Sequence, residues 1–200
     1  MVQELARKTA KKMENQGVIA SKTIPIYAYG LELLYSSLAG VVALIIISAI
    51  LGKPFLWIPY LAGFVPLRLS GGGYHAKTHF HCVFEFSLLY SLVLLIVRAC
   101  VLPMIVLPIV CTVTLVIILI FSPVTAPNKP LKECQHRTSR QNSITLGIGN
   151  LIGCILLFSL FTFQNQWINM YFAGSSMAGF SMLLAVINKR GRRKLDENNG

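Results

Sequence analysis

Charge is scarce in this chain, and acidic charge scarcest. Only 12% of the 200 residues are charged while 54% are hydrophobic, and Lys plus Arg outnumber Asp plus Glu by 18 to 7. About a quarter charged is the globular norm. At a mean hydropathy of +0.65, the polar residues are too few to cover a soluble core, which points to an integral membrane protein. Aspartate occurs once, at Asp196, which argues against a carboxylate-rich metal site and against an aspartyl membrane protease. The five cysteines, Cys82, Cys100, Cys111, Cys134 and Cys154, show no paired spacing and no CxxC. Three lie in apolar runs, where cysteine is usually a small apolar residue, and the odd count argues against a disulfide framework. Residues 1–23 are polar and basic with no apolar h-region, so no cleavable signal peptide is expected. A net charge of +11 would suit nucleic acid by number alone. The basic residues, however, sit in loops and tails between apolar runs. The positive-inside rule and contact with anionic membrane lipids account for them, and no nucleic-acid partner is expected.

The apolar runs set the organisation, an all-α polytopic membrane protein. Residues 1–23 begin with a basic amphipathic helix: Val2, Leu5, Ala6, Thr9, Ala10 and Met13 share one face, and Arg7, Lys8, Lys11 and Lys12 fall mainly on the other. Such a helix lies on the membrane surface. Within 24–187, six runs follow at 24–50, 54–69, 80–97, 101–122, 144–163 and 170–187. The second is short and carries Pro59, Gly63 and Pro66, so it is either kinked or re-entrant. The fifth carries Gly147, Gly149 and Gly153, a small-residue face expected to pack on another helix. A polar loop at 123–143 and a basic, frayed tail at 188–200 complete the chain. With six crossings and both termini cytoplasmic, all but Lys53 and Arg98 of the 18 Lys and Arg residues fall inside, as the positive-inside rule requires. That places the loop 68–82 on the cytoplasmic face of the membrane.

Polar chemistry concentrates in one stretch. Residues 68–85 hold Gly71-Gly72-Gly73, three of the 4 histidines (His75, His79, His81), Cys82 and Glu85. Polar groups placed between membrane-length apolar segments mark a functional site, because burying them is costly. His75 and Cys82 suit a base and a nucleophile, since cysteine attacks as the thiolate. On one straight helix, seven residues would separate them by about 10.5 Å along the axis, so contact requires a bend. The glycine run is the device for it, with His75 folding back toward the first turns of the third span. A helix N-terminus beside Cys82 would further favour the thiolate. Glu85 either orients a histidine or pairs with Arg68 or Lys77. Arg68 either binds a substrate carboxylate or oxyanion or is a snorkelling anchor. A metal site built from His75, His79, His81 and Cys82 is the other reading of the cluster. His75 and His79 have a ligand spacing, but no HExxH is present, and His79 and His81 read better as interface residues. No metal or other cofactor is expected. An exporter or transporter of a peptide or metal ion using this cluster as a binding site, and a non-catalytic partner of a sensor system, are the alternatives to an enzyme.

Taken together, Arg68, the glycine-rich lead-in, Gly73-Tyr74-His75-Ala76, Cys82 seven residues after His75 and the later Pro127-Asn128-Lys129-Pro130-Leu131 resemble the AgrB (accessory gene regulator B) family of quorum-sensing membrane endopeptidases. The resemblance spans essentially the whole chain. It implies cleavage of an AgrD-like precursor peptide at the cytoplasmic face, with His75 and Cys82 as the catalytic pair. It further implies a peptidyl thioester on Cys82, loss of the precursor's C-terminal acidic segment, and closure to a thiolactone or lactone by a nucleophile within the precursor. It suggests a homodimer. Arg68, Gly73 and Glu85 are then supporting residues. Lys129 and Lys132 in the basic loop would suit the acidic segment, beside their ordinary reading as positive-inside charge.

Overall fold

The computed structural model describes residues 2–72, 79–99, 106–124, 133–160 and 165–198; side chains are described at all of these except 79–82, 99, 107, 158–160 and 189–198. Seven α-helices and one 3-10 turn make up the regular structure among the described residues. They are α1 (Val2–Asn15), α2 (Ile24–Ile50), α3 (Trp57–Gly71), α4 (His79–Ala99), α5 (Val106–Phe121), α6 (Glu133–Leu160) and α7 (Gln166–Asn198), with the turn at Ser21–Thr23. Two helical stretches, Ser21–Ile50 and Gln166–Asn188, are long and apolar enough to cross a bilayer, with mean hydropathies of 2.4 and 1.6. Pro108–Phe121 is apolar but shorter.

The chain divides into two compact units, Met1–Pro54 with Ala76–Ser91, and Phe55–His75 with Leu92–Gly200. In the first unit, α1 is the expected amphipathic helix. Ala6 and Ala10 are fully buried, and Thr9 Oγ1 lies 3.1 Å from the Tyr35 hydroxyl on α2. The Lys8–Glu4 ion pair at 2.8 Å is solvent-exposed and is worth at most about 0.5 kcal/mol. The helix stops where Gly17 takes a φ of +73°. Gly17 N–H then donates to the Glu14 carbonyl and Val18 N–H to the Met13 carbonyl, a Schellman termination that only a glycine makes cheaply.

α2 is 27 residues long, about 40 Å by the helical rise. Its two faces differ. Leu34, Leu38, Val42, Ile46 and Ile50 form a ridge at four-residue spacing, each more than half exposed, whereas Gly40, Leu44 and Ser48 are buried. An apolar ridge left outside is what a lipid-facing helix presents. The buried face meets α4: the Phe86 ring is 3.7 Å from where a Gly40 Cβ would lie, and the Ser48 and Tyr90 hydroxyls hydrogen-bond to each other in full burial. The pairings Gly40 with Phe86 and Ser48 with Tyr90 ascend together, so α2 and α4 run parallel in this unit.

In the second unit, α3 and α7 approach most closely. A Cβ at Gly63 would strike the Tyr171 carbonyl and stand 3.0 Å from the Ser175 nitrogen; one at Gly174 would strike the Tyr60 carbonyl. Small residues are what let helix backbones come this near in lipid. Leu67, Ile118, Ala178 and Met182 form the buried core, and Cys111, Cys154 and Phe172 a second cluster. Directions follow from the contacts. Gly63 lies on Ser175 and Gly71 on Met182, so α3 and α7 are parallel. Cys111 packs with Phe172 and Thr114 with Gly179, so α5 is parallel to α7. Cys111 packs with Cys154, Ile118 with Gly147, and the Leu119 carbonyl with Arg140, so α6 is antiparallel to α5.

α3 continues through Pro66 to Gly71 as one helix. Two stretches depart from the sequence expectation. The residues expected as loop at 133–143 form the first turns of α6, and the backbone at 188–198 continues α7. Both extensions are rich in Glu, Gln, Lys and Arg, good helix formers, and a helix once started adds residues easily. The glycine face of α6 is only partly used. A Cβ at Gly147 would stand 3.0 Å from Leu115 and 3.1 Å from Ile118, but nothing lies within 4 Å of a Cβ at Gly149 or Gly153. These two line a cavity of about 290 Å³ with Asn150, Leu157, Trp167 and Tyr171.

Candidate active site

The motif stretch begins on the last turn of α3. Arg68 points across to α7, where its Nη1 donates to Ser181 Oγ at 2.7 Å, partly buried. This partner was invisible in sequence, because 113 residues separate the two. Partly buried and hydrogen-bonded, the guanidinium is oriented by α7.

Beyond Arg68 the helix ends at a crowded point. Gly71 is buried beneath Met182, and a Cβ there would strike the Met182 methyl and stand 3.4 Å from Ser143 Oγ. Gly72 caps the helix with φ +74° and ψ −156°, its N–H reaching the Arg68 carbonyl at 3.2 Å. That backbone conformation is one L side chains rarely adopt, and the space is also filled, since a Cβ at Gly72 would strike the Val124 carbonyl. Gly72 and Val124 form an isolated parallel bridge, in which Val124 N–H donates to the Gly71 carbonyl at 2.9 Å. Here two of the three expected glycines are required by geometry.

Ser139, in the polar extension of α6, donates its hydroxyl to the Ser70 carbonyl. Ser143, one turn on and fully buried, donates to the Ser139 carbonyl at 2.8 Å. Arg140, beside Ser139, reaches the Leu119 carbonyl at 3.5 Å near the C-terminal end of α5, where a cation is favoured by the helix dipole. The serines were not singled out from sequence; their spacing of four in a polar stretch was the available signal.

Cys82 lies in the first turn of α4, four residues into a helix that starts at His79. Glu85 follows within one turn of Cys82 on the same helix and is exposed. His79 and His81 also fall in that first turn, and their side chains, like that of Cys82, are outside the described set. Gly73, His75, Lys77, Lys129 and Lys132 lie outside the described residues altogether, and with them the expected return of His75 toward Cys82. The structure therefore brings together Arg68, the glycine lead-in, Val124 and the serines of α6 and α7 within one unit.

The remaining cysteines are accounted for in part. Cys111 and Cys154 are free and buried in the apolar cluster with Phe172; Cys134 is free and exposed.

No curated protein and no solved structure matches the chain. A family model does: Accessory gene regulator B, AgrB, over residues 4–184. That match runs from α1 to the apolar part of α7 and includes every motif residue discussed above. The chain is thus a membrane protein of the AgrB family, the family of quorum-sensing propeptide processing.

Proposed function

We propose that this protein is a membrane cysteine endopeptidase that removes the C-terminal segment of an AgrD-like propeptide and hands the remainder on to ring closure. The observation that carries this reading is the coincidence of AgrB family membership with His75 in its Gly-Tyr-His-Ala setting and Cys82 in the first turn of α4.

His75 takes the Cys82 proton, and the thiolate attacks the carbonyl carbon of the scissile peptide bond. The C–N bond breaks, the leaving amine takes the proton from His75, and the acyl group stays on sulfur as a thioester. A thiol or hydroxyl of the bound precursor then attacks that carbonyl, giving up its proton to His75. The ring closes as a thiolactone or lactone, and Cys82 leaves as thiolate. A nucleophile held in place beats bulk water by its effective concentration, and a lipid-shielded site slows hydrolysis. Arg68, Gly73 and Glu85 support the pair. Lys129 and Lys132 attract the acidic segment of the precursor, since opposite charge speeds encounter.

Six crossings are part of the same proposal. The parallel pairs α2 with α4, and α3 and α5 with α7, support it, as does the antiparallel α6, because each intervening helix must then return across the membrane. Both termini and the segments 68–82 and 123–143 fall on the cytoplasmic side, next to anionic lipid. A homodimer is the proposed assembly.

The test is co-expression with the short peptide encoded beside this gene, read by mass spectrometry. Cys82→Ala and His75→Ala, each verified as inserted, should abolish release of the C-terminal fragment. Cleavage surviving Cys82→Ala would refute the nucleophile and favour a transporter. Charge reversal at Lys129 and Lys132 should lower processing about tenfold, the loss expected from removing close charge complementarity; unchanged processing would remove their role.

A further inference from the structure

Two of the segments singled out in the sequence begin at one place. Residue 73 begins the stretch that carries His75, and residue 125 begins the stretch that carries Lys129 and Lys132. The residues just before them, Gly72 and Val124, are bridged to each other. The bridge is held from three sides: Val124 N–H on the Gly71 carbonyl, the Ser139 hydroxyl on the Ser70 carbonyl, and Arg68 Nη1 on Ser181. Of these clamps, Ser139 is the one side chain from α6, and Ser143 braces its carbonyl from the next turn.

We propose that Ser139 is a positioning residue for propeptide processing. Through the Ser70 carbonyl it fixes the end of α3 against α6, and so holds the Gly72–Val124 bridge from which the two segments depart. It touches neither substrate nor reacting atoms. Its effect is to keep Gly72, which precedes the His75 segment, registered against Val124, which precedes the Lys129 and Lys132 segment. This inference rests on the endopeptidase reading for its activity readout, but its structural content stands without it.

The physical argument is one of satisfied groups. A partly buried carbonyl that loses its donor is left unsatisfied, and bridges of a single pair have little else to hold them. Ser139→Ala removes the donor and leaves the helix intact, because alanine is the better helix former. Ser139→Thr keeps the hydroxyl. Thr138→Ala is the control, since the Thr138 hydroxyl bonds within its own helix, to the Cys134 carbonyl at 3.0 Å.

The experiment uses the full-length protein in lipid nanodiscs and two readouts. One is amide hydrogen exchange of the peptide containing Val124. The other is release of the C-terminal fragment from the co-expressed precursor. Ser139→Ala should exchange about tenfold faster at Val124 and process about tenfold more slowly, the factor that the loss of one such hydrogen bond sets. Ser139→Thr should restore both, and Thr138→Ala should change neither. Gly72→Ala, which forces the bridge apart, should reproduce the Ser139→Ala result. Wild-type exchange in Ser139→Ala overturns the proposal, as does slow processing that Ser139→Thr fails to rescue. If Cys82→Ala still processes while Ser139→Ala loses protection at Val124, the endopeptidase reading falls and the clamp remains.

Discussion

The two glycine-bearing helix faces of the second unit look alike in sequence and behave differently. On α3 and α7, Gly63 and Gly174 bring backbone against backbone, with no room for a Cβ at either. On α6, Gly149 and Gly153 face a cavity edged by Trp167 and Tyr171. Small residues permit close approach in lipid but do not cause it. What decides is the neighbour: the opposing helix must present small or backbone surface at the same level. Across from Gly63 stand a carbonyl and an amide. Beside Gly149 and Gly153 the cavity is lined by aromatic rings of α7, and nothing comes within 4 Å of a Cβ at either glycine.

This contrast can be broken at its strong side first. Gly63→Ala should destabilise by about 3 kcal/mol, and Gly63→Leu should prevent folding, because the clash is with backbone that cannot move aside; thermal unfolding in detergent measures the first and loss of the inserted protein the second. An intermediate case lies at Gly179, where a new Cβ would come within 2.8 Å of the Thr114 methyl. Gly179→Ala should cost about 1 kcal/mol. Thr114→Ser removes that methyl while keeping the hydroxyl that bonds to the Val110 carbonyl, so the double variant should recover most of the loss in a double-mutant cycle. At the weak side, Gly149→Ala should be neutral or stabilising by about 0.5–1 kcal/mol, since alanine gains helix propensity and meets nothing. A loss of stability there would mean that the cavity beside α6 is closed in the membrane.

The same contrast explains what the sequence disclosed. The six apolar runs are each represented by a helix, α2 to α7, because continuous hydropathy is a local property that survives folding. The amphipathic pattern of α1 was equally local, and Ala6 and Ala10 are buried as its periodicity requires. The start of α6 escaped notice because Glu133 to Ser143 is helical without being apolar, and hydropathy alone cannot tell a polar helix from a loop. Which glycines touch a neighbour was not legible, since it depends on residues more than 100 positions away, Tyr60 on Gly174 and Gly63 on Tyr171. The candidate site divides in the same manner. His75 and Cys82 stand out by residue type and spacing. Ser139 and Ser181 do not, because a serine in a helix is ordinary until its partner is known.

The Arg68–Ser181 hydrogen bond has a consequence for how the protein is made. Its partners are 113 residues apart, and those of the Ser139–Ser70 bond 69 apart. A chain that emerges from the ribosome from its N-terminus inserts α3 long before α6 and α7 exist. The end of α3 therefore waits for the neighbours that fix it, and it acquires Ser139 before Ser181. Contacts of this separation form late. The Arg68 guanidinium thus gains its Ser181 partner only once α7 has been made, so a nascent chain that stops short of α7 can hold α3 in the membrane without that contact.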